Sequence, residues 1–148
     1  MSRPTRIGLM LVGLSLLGSC DSPVESLLEQ RRWAALGIRD YEFVYTALCF
    51  CGFRGPNPAK LTVTNGLVTK VEATGGATLP ATTPAAATYP TIDSLFALLK
   101  RTEKSAVKEV GFDDTYHYPK LISLDPLKNA IDDEVVYKVE SFIPLSGR

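Results

Sequence analysis

Lys60-Leu61-Thr62-Val63-Thr64-Asn65-Gly66-Leu67-Val68-Thr69-Lys70-Val71-Glu72 is the stretch from which the fold can be read outward. Asn-Gly is the preferred two-residue connection between tightly paired antiparallel strands, because both positions accept positive φ. Leu61 and Val63 alternate with threonines before the turn. Val68 and further apolar residues carry the alternation beyond it. The segment predicts a β-hairpin, and with it an antiparallel sheet.

Upstream, Asp40-Tyr41-Glu42-Phe43-Val44-Tyr45-Thr46-Ala47-Leu48 is rich in β-branched and aromatic residues and predicts a strand. A period of two puts Tyr41, Phe43, Tyr45, Ala47, Cys49 and Cys51 on one face, and Glu42, Val44, Thr46, Leu48 and Phe50 on the other. Before it, Ser22-Pro23-Val24-Glu25 combines a capping serine, a proline suited to the first helical position and a glutamate suited to a capping box. Together with Gly37 as a stop, these signals predict a helix over 23–36. Val24, Leu27, Leu28 and Ala35 share one helical face, which is expected to be the buried one. Trp33 points away from that stripe.

Downstream, residues 53–58 are a loop by their Gly and Pro content, and residues 74–90 form a low-complexity Ala, Thr, Pro and Gly stretch expected to run over the surface. Thr91 caps a second predicted helix, in which Ile92, Leu95, Phe96 and Leu99 repeat at i, i+3, i+4, i+7. Asp93 suits the start of its dipole, while Lys100, Arg101 and Lys104 suit its end. Residues 107–112 and 120–124 predict a second hairpin, and residues 134–142 a last strand. The expected fold is α+β: an antiparallel sheet of about six strands, rich in hairpins, with two amphipathic helices packed on one face.

The N-terminus reads as an address. Arg3 and Arg6 precede an uncharged, mostly apolar run from Ile7 to Leu17, too short to span a bilayer but suited to a signal peptide. Leu17-Gly18-Ser19-Cys20 resembles the bacterial lipobox, in which cleavage precedes a cysteine that carries diacylglycerol. The expectation is a signal peptide over 1–19 and one domain over 20–148, lipidated at Cys20. Asp21 resembles the signal that retains lipoproteins in the inner membrane of enteric bacteria. The full chain has 16 basic and 16 acidic residues. Losing Arg3 and Arg6 leaves 14 basic residues against 16 acidic, with no basic stripe for nucleic acid.

Across the domain the chain resembles an uncharacterised bacterial lipoprotein family, domain of unknown function 6174. The resemblance runs through Trp33, Asp40-Tyr41-Glu42-Phe43 and Cys49-Phe50-Cys51, then Val63, Asn65-Gly66 and Val68, then Thr91-Ile92 and Leu95-Phe96. It ends with Tyr118-Pro119, Asp125 and Asp132-Asp133-Glu134. Phe112-Asp113 and His117-Tyr118-Pro119 stand where the family tends to have Tyr-Asp and Gly-Tyr-Pro. The resemblance implies a location and supplies no mechanism.

Cys49 and Cys51 carry the clearest chemical question. In a flat strand, residues two apart lie roughly 6.6–6.8 Å from each other, at the edge of the about 4.4–6.8 Å range between disulfide Cα atoms. An oxidising compartment favours a local disulfide closing the strand end. Redox exchange, a metal site and free thiols are the alternatives. Zinc wants four ligands, and only His117 and scattered carboxylates remain to complete them. His117, the only histidine, reads as a surface or turn residue. Asp113, Asp114, Asp125, Asp132, Asp133 and Glu134 read as loop acids and turn caps, with calcium ligation as the alternative. No Gly-x-Ser-x-Gly elbow is present. The expectation is a membrane-anchored, non-catalytic binding or envelope-structural lipoprotein, without cofactor, catalytic residue or metal. Its partners are the membrane through Cys20 and an envelope protein or ligand met by the exposed sheet face or the 74–90 loop. The alternative is a redox or metal-handling lipoprotein using Cys49 and Cys51.

Overall fold

The computed structural model describes residues 23–49, 55–74, 78–80, 88–127, 130 and 132–145. The helices are α1 (Pro23–Ala35) and α2 (Ile92–Arg101). The strands are β1 (Tyr41–Leu48), β2 (Ala59–Thr64), β3 (Leu67–Ala73), β4 (Thr78–Pro80), β5 (Val107–Phe112), β6 (Pro119–Leu124) and β7 (Val135–Pro144). They form one sheet in the order β4-β3-β2-β1-β7-β6-β5, antiparallel at every pairing. The fold is α+β, as the sequence predicts.

Asn65 and Gly66 take φ of 52° and 77°, the conformation that lets a two-residue turn match the strand twist. The tip is tied down as well: Gly66 N donates to Arg39 O at 2.9 Å, and Asn65 N donates to Asp40 Oδ1 at 2.6 Å. Along β1 the alternation holds. Tyr41, Phe43, Tyr45 and Ala47 are buried, while Glu42, Val44 and Thr46 are half-buried on the opposite face. That opposite face is polar. Glu42 accepts from Thr62 Oγ1 at 3.0 Å and pairs with Lys60 Nζ at 2.8 Å, and Lys70 pairs with Glu72 at 2.9 Å.

α2 follows its sequence signals. Thr91 and Ser94 form a reciprocal capping box, and Ile92, Leu95 and Phe96 are buried. Tyr41 Oη, from the sheet, accepts the otherwise orphaned Ile92 N–H at 3.0 Å. Burial holds the Tyr41 phenol up at about 12, against the opposing pull of that hydrogen bond.

Three features depart from the sequence reading. The first is α1, which turns its predicted core stripe outward: Val24, Leu27 and Leu28 are 73%, 47% and 44% exposed, and Ala35 is exposed. The helix docks through Trp33, 2% exposed, and Glu29, 7% exposed, on the other side. Trp33 wins because its large ring fills an aromatic cluster, edge-on to Tyr41 and Phe142 with centroids 5.6 and 5.7 Å away. The second is the seventh strand, β4, which comes from the low-complexity stretch and pairs with β3 through Val71↔Leu79. From the same stretch, Tyr89 is buried and donates through Oη to Pro56 O at 2.6 Å. The third is β7, whose register against β1 shifts between Glu42 and Val44. There Ser141 has φ of 52°, and Phe142 joins the cluster 4.7 Å from Tyr118 and 5.0 Å from Tyr116. An inserted residue of this kind re-aims a side chain that strict alternation would place on the other face.

Candidate functional site

The first turns of α1, the C-terminal half of α2 and the edge strand β5 enclose a groove of ≈ 550 Å³. Its origin lies in how α1 is held. Trp33 and Glu29 fasten the second half of the helix, and the earlier residues Glu25, Ser26 and Leu27 form one wall of the opening. Leu27, Phe96, Leu99, Val107, Val110 and Phe112 make the apolar surface. Phe96 and Phe112 stack at 6.2 Å with 13° between their planes, which gives the floor a rigid aromatic base. A register shift between Val107 and Glu109 inserts an extra residue in β5, and Val107, Lys108, Val110 and Phe112 all face the groove.

Three lysines line it: Lys100, Lys104 and Lys108. Lys108 Nζ is paired with Asp125 Oδ2 at 2.6 Å, and that carboxylate holds its ammonium above the usual lysine range. Lys100 and Lys104 are exposed and carry no ion pair among the described residues. Apolar walls with two uncompensated ammonium groups at the rim suit a ligand with an apolar body and an anionic end. In the sequence Leu99 and Phe96 read only as core, and Lys100 and Lys104 only as dipole partners. The groove became visible when β5 arrived beside α2 from a distant part of the chain.

Beside the groove, His117 sits in the turn between β5 and β6 with φ of 64°. Its Nδ1 lies 2.8 Å from Glu29 Oε2, and Arg32 Nη1 donates to Glu29 Oε1 at 2.6 Å. Both oxygens of this buried carboxylate are therefore engaged. The recess around them, ≈ 370 Å³, is lined by no serine, threonine or cysteine among the described residues. The arrangement is a latch from α1 to the β5–β6 turn. A glutamate one turn before Trp33, on the same helical face, was the sequence signal for it.

The other residues singled out in the sequence are dispersed. Cys49 is half-buried just beyond the end of β1. Cys20 and Cys51 lie outside the described residues, as do the signal segment over 1–19 and the lipobox-like motif. Near Cys49, the Asn57 carboxamide accepts from Ala47 N at 3.0 Å and donates to Ala47 O, taking the place of a neighbouring strand. Gly55 completes this corner with φ of 145°. A Cβ there would stand 2.5 Å from Tyr89 Oη. The acids divide among separate tasks: Asp113 accepts from Thr115 and Tyr116 N–H, Asp125 pairs with Lys108, and Asp133 accepts from Leu127 N–H. Among the described residues, no group of three or more His, Cys, Asp or Glu is placed to hold a metal.

These features define an antiparallel α+β domain with two helices on one face and an apolar groove at its β5 edge. The family model described as "Family of unknown function (DUF6174)" matches residues 26–144, and the chain belongs to that family. Neither the curated proteins nor the solved structures contain a match to the chain.

Proposed function

We propose that this protein is a lipoprotein domain, anchored through Cys20 on the outer side of a bacterial membrane, that binds rather than transforms its ligand. The observation that carries the binding half is the ≈ 550 Å³ groove with its apolar floor and unpaired Lys100 and Lys104. It favours a small amphiphile with an anionic end as the ligand. The lipobox-like Leu17-Gly18-Ser19-Cys20 supports the anchor. In this reading Cys49 and Cys51 form a local disulfide that closes the end of β1, with no catalytic or metal-binding part.

The groove is tested with residues 21–148, which contain every element of the fold. Titration with 1-anilinonaphthalene-8-sulfonate, an apolar ring system with one anionic group, is expected to saturate at one site. Lys100→Glu with Lys104→Glu is expected to weaken that binding by about tenfold or more, equivalent to roughly 1.4 kcal/mol. Unchanged affinity in the double variant refutes the groove as the site. The staple is checked on the same material by thiol counting, by mass, with and without reductant. A bond that exchanges freely with glutathione, or a bound metal, would favour a redox or metal-handling role instead.

A further inference from the structure

We infer that the outward face of α1 lies in the membrane interface, so that the domain rests on the bilayer with its helices down. The inference builds on the proposed anchor at Cys20 and adds a second, non-covalent contact to it.

The face is apolar where a solvent-exposed helix face is ordinarily polar. On a helical wheel, Val24, Leu27, Leu28, Ala34 and Ala35 surround Arg31, directly opposite the docked Trp33 and Glu29. Val24 is 73% exposed, and Leu27 and Leu28 are 47% and 44% exposed. Arg31 is the charged residue among them, and no acidic side chain shares the face: Glu29 is buried on the docked side, and Glu25 lies beyond the edge beside Arg32, which is itself paired with Glu29 at 2.6 Å. Arg31 is exposed and has no ion pair among the described residues. Such a face suits the headgroup region, where the aliphatic groups enter the acyl boundary and the Arg31 guanidinium snorkels out to lipid phosphate.

The tether fixes the occupant. Only two residues, Asp21 and Ser22, separate Cys20 from Pro23, and the three Cα–Cα steps reach at most about 10–11 Å. A lipid on Cys20 therefore holds the start of α1 within that distance of the bilayer surface, whichever way the domain turns. Of the surfaces that can then meet the bilayer, α1 offers aliphatic side chains and unpaired arginine. The open face of the sheet offers the Glu42–Lys60 and Lys70–Glu72 pairs instead.

The test uses the full chain, produced with its own leader in a bacterial host, purified from membranes and reconstituted into phosphatidylethanolamine–phosphatidylglycerol vesicles containing brominated phosphatidylcholine. Leu28→Trp reports on the α1 face. Ile143→Trp is the control, since Ile143 is 54% exposed and pairs with Glu42 on the open face. Trp33, buried in both variants, gives the same background. Bromolipid is expected to quench the added tryptophan of Leu28→Trp at least twofold more strongly than that of Ile143→Trp. Adding Arg31→Glu to Leu28→Trp is expected to reduce that quenching. Equal quenching at the two positions overturns the inference. The mass of the N-terminal peptide is read from the same preparation. A lipidated Cys20 with equal quenching leaves the anchor standing and removes the docked face. An unlipidated Cys20 removes the anchor and the inference together.

Discussion

α1 and α2 cover the same face of one sheet and are held to it by opposite means. α2 buries Ile92, Leu95 and Phe96 from the stripe its sequence displays and leaves the fourth member, Leu99, half-buried on the groove. α1 exposes its aliphatic stripe and is held by one indole and one carboxylate: Trp33 in the aromatic cluster, with Nε1 donating to Asp93 Oδ1 at 3.1 Å, and Glu29 between Arg32 and His117. A regular aliphatic stripe on a helix therefore does not by itself fix which side docks on the sheet. The difference teaches that a single large aromatic with a polar partner can outweigh four smaller apolar residues in deciding which side of a helix docks.

The sharpest way to break this comparison is Trp33→Ala. It removes a side chain 2% exposed, packed on Tyr41 and Phe142, and is expected to cost about 3–5 kcal/mol in denaturant unfolding. A loss below about 1 kcal/mol would mean that α1 is held by something else. Next in size is alkaline pH. Burial pushes the phenols of Tyr41 and Tyr118 up to about 12 each. A group whose pKa is raised on folding contributes stability that is complete below its unfolded value, near 10 for tyrosine, and is lost as pH rises through the folded value. Stability should therefore fall by on the order of 2 kcal/mol for each phenol between about pH 10 and 12, and Tyr41→Phe should remove about half of that fall. Denaturant melts across that range would show it, and a flat profile would contradict the burial of both hydroxyls. The smallest effect is Leu28→Ser, expected within about 0.5 kcal/mol of the parent in soluble protein, since the side chain is 44% exposed. A loss of 2 kcal/mol or more there would show the α1 stripe to be buried in solution after all.

Much of the fold was legible because its signals are local. Asn65-Gly66 prescribes its own turn, the β1 alternation sorts its own faces, and Thr91 with Ser94 forms the local part of the α2 cap, to which Tyr41 adds from the sheet. β4 was not legible, since a low-complexity stretch has no pattern to announce pairing and the open edge of β3 supplies the register. The β7 irregularity was hidden for a related reason: Phe142 turns inward because Trp33, Tyr41, Tyr116 and Tyr118 offer it an aromatic site. The groove is in the same position, with walls from residues about eighty apart in the chain.

The antiparallel α+β class, the hairpin, the burial face of β1, and the start and buried side of α2 through Ile92, Leu95 and Phe96 follow from the sequence alone, since they rest on periodicity and capping between near neighbours. Only the tertiary structure decided which face of α1 is inside, that Glu29 meets His117 across 88 positions, and that Leu27, Phe96 and Val110 border one cavity. Those outcomes depend on competition among surfaces for a limited sheet face. No local pattern encodes which surface wins.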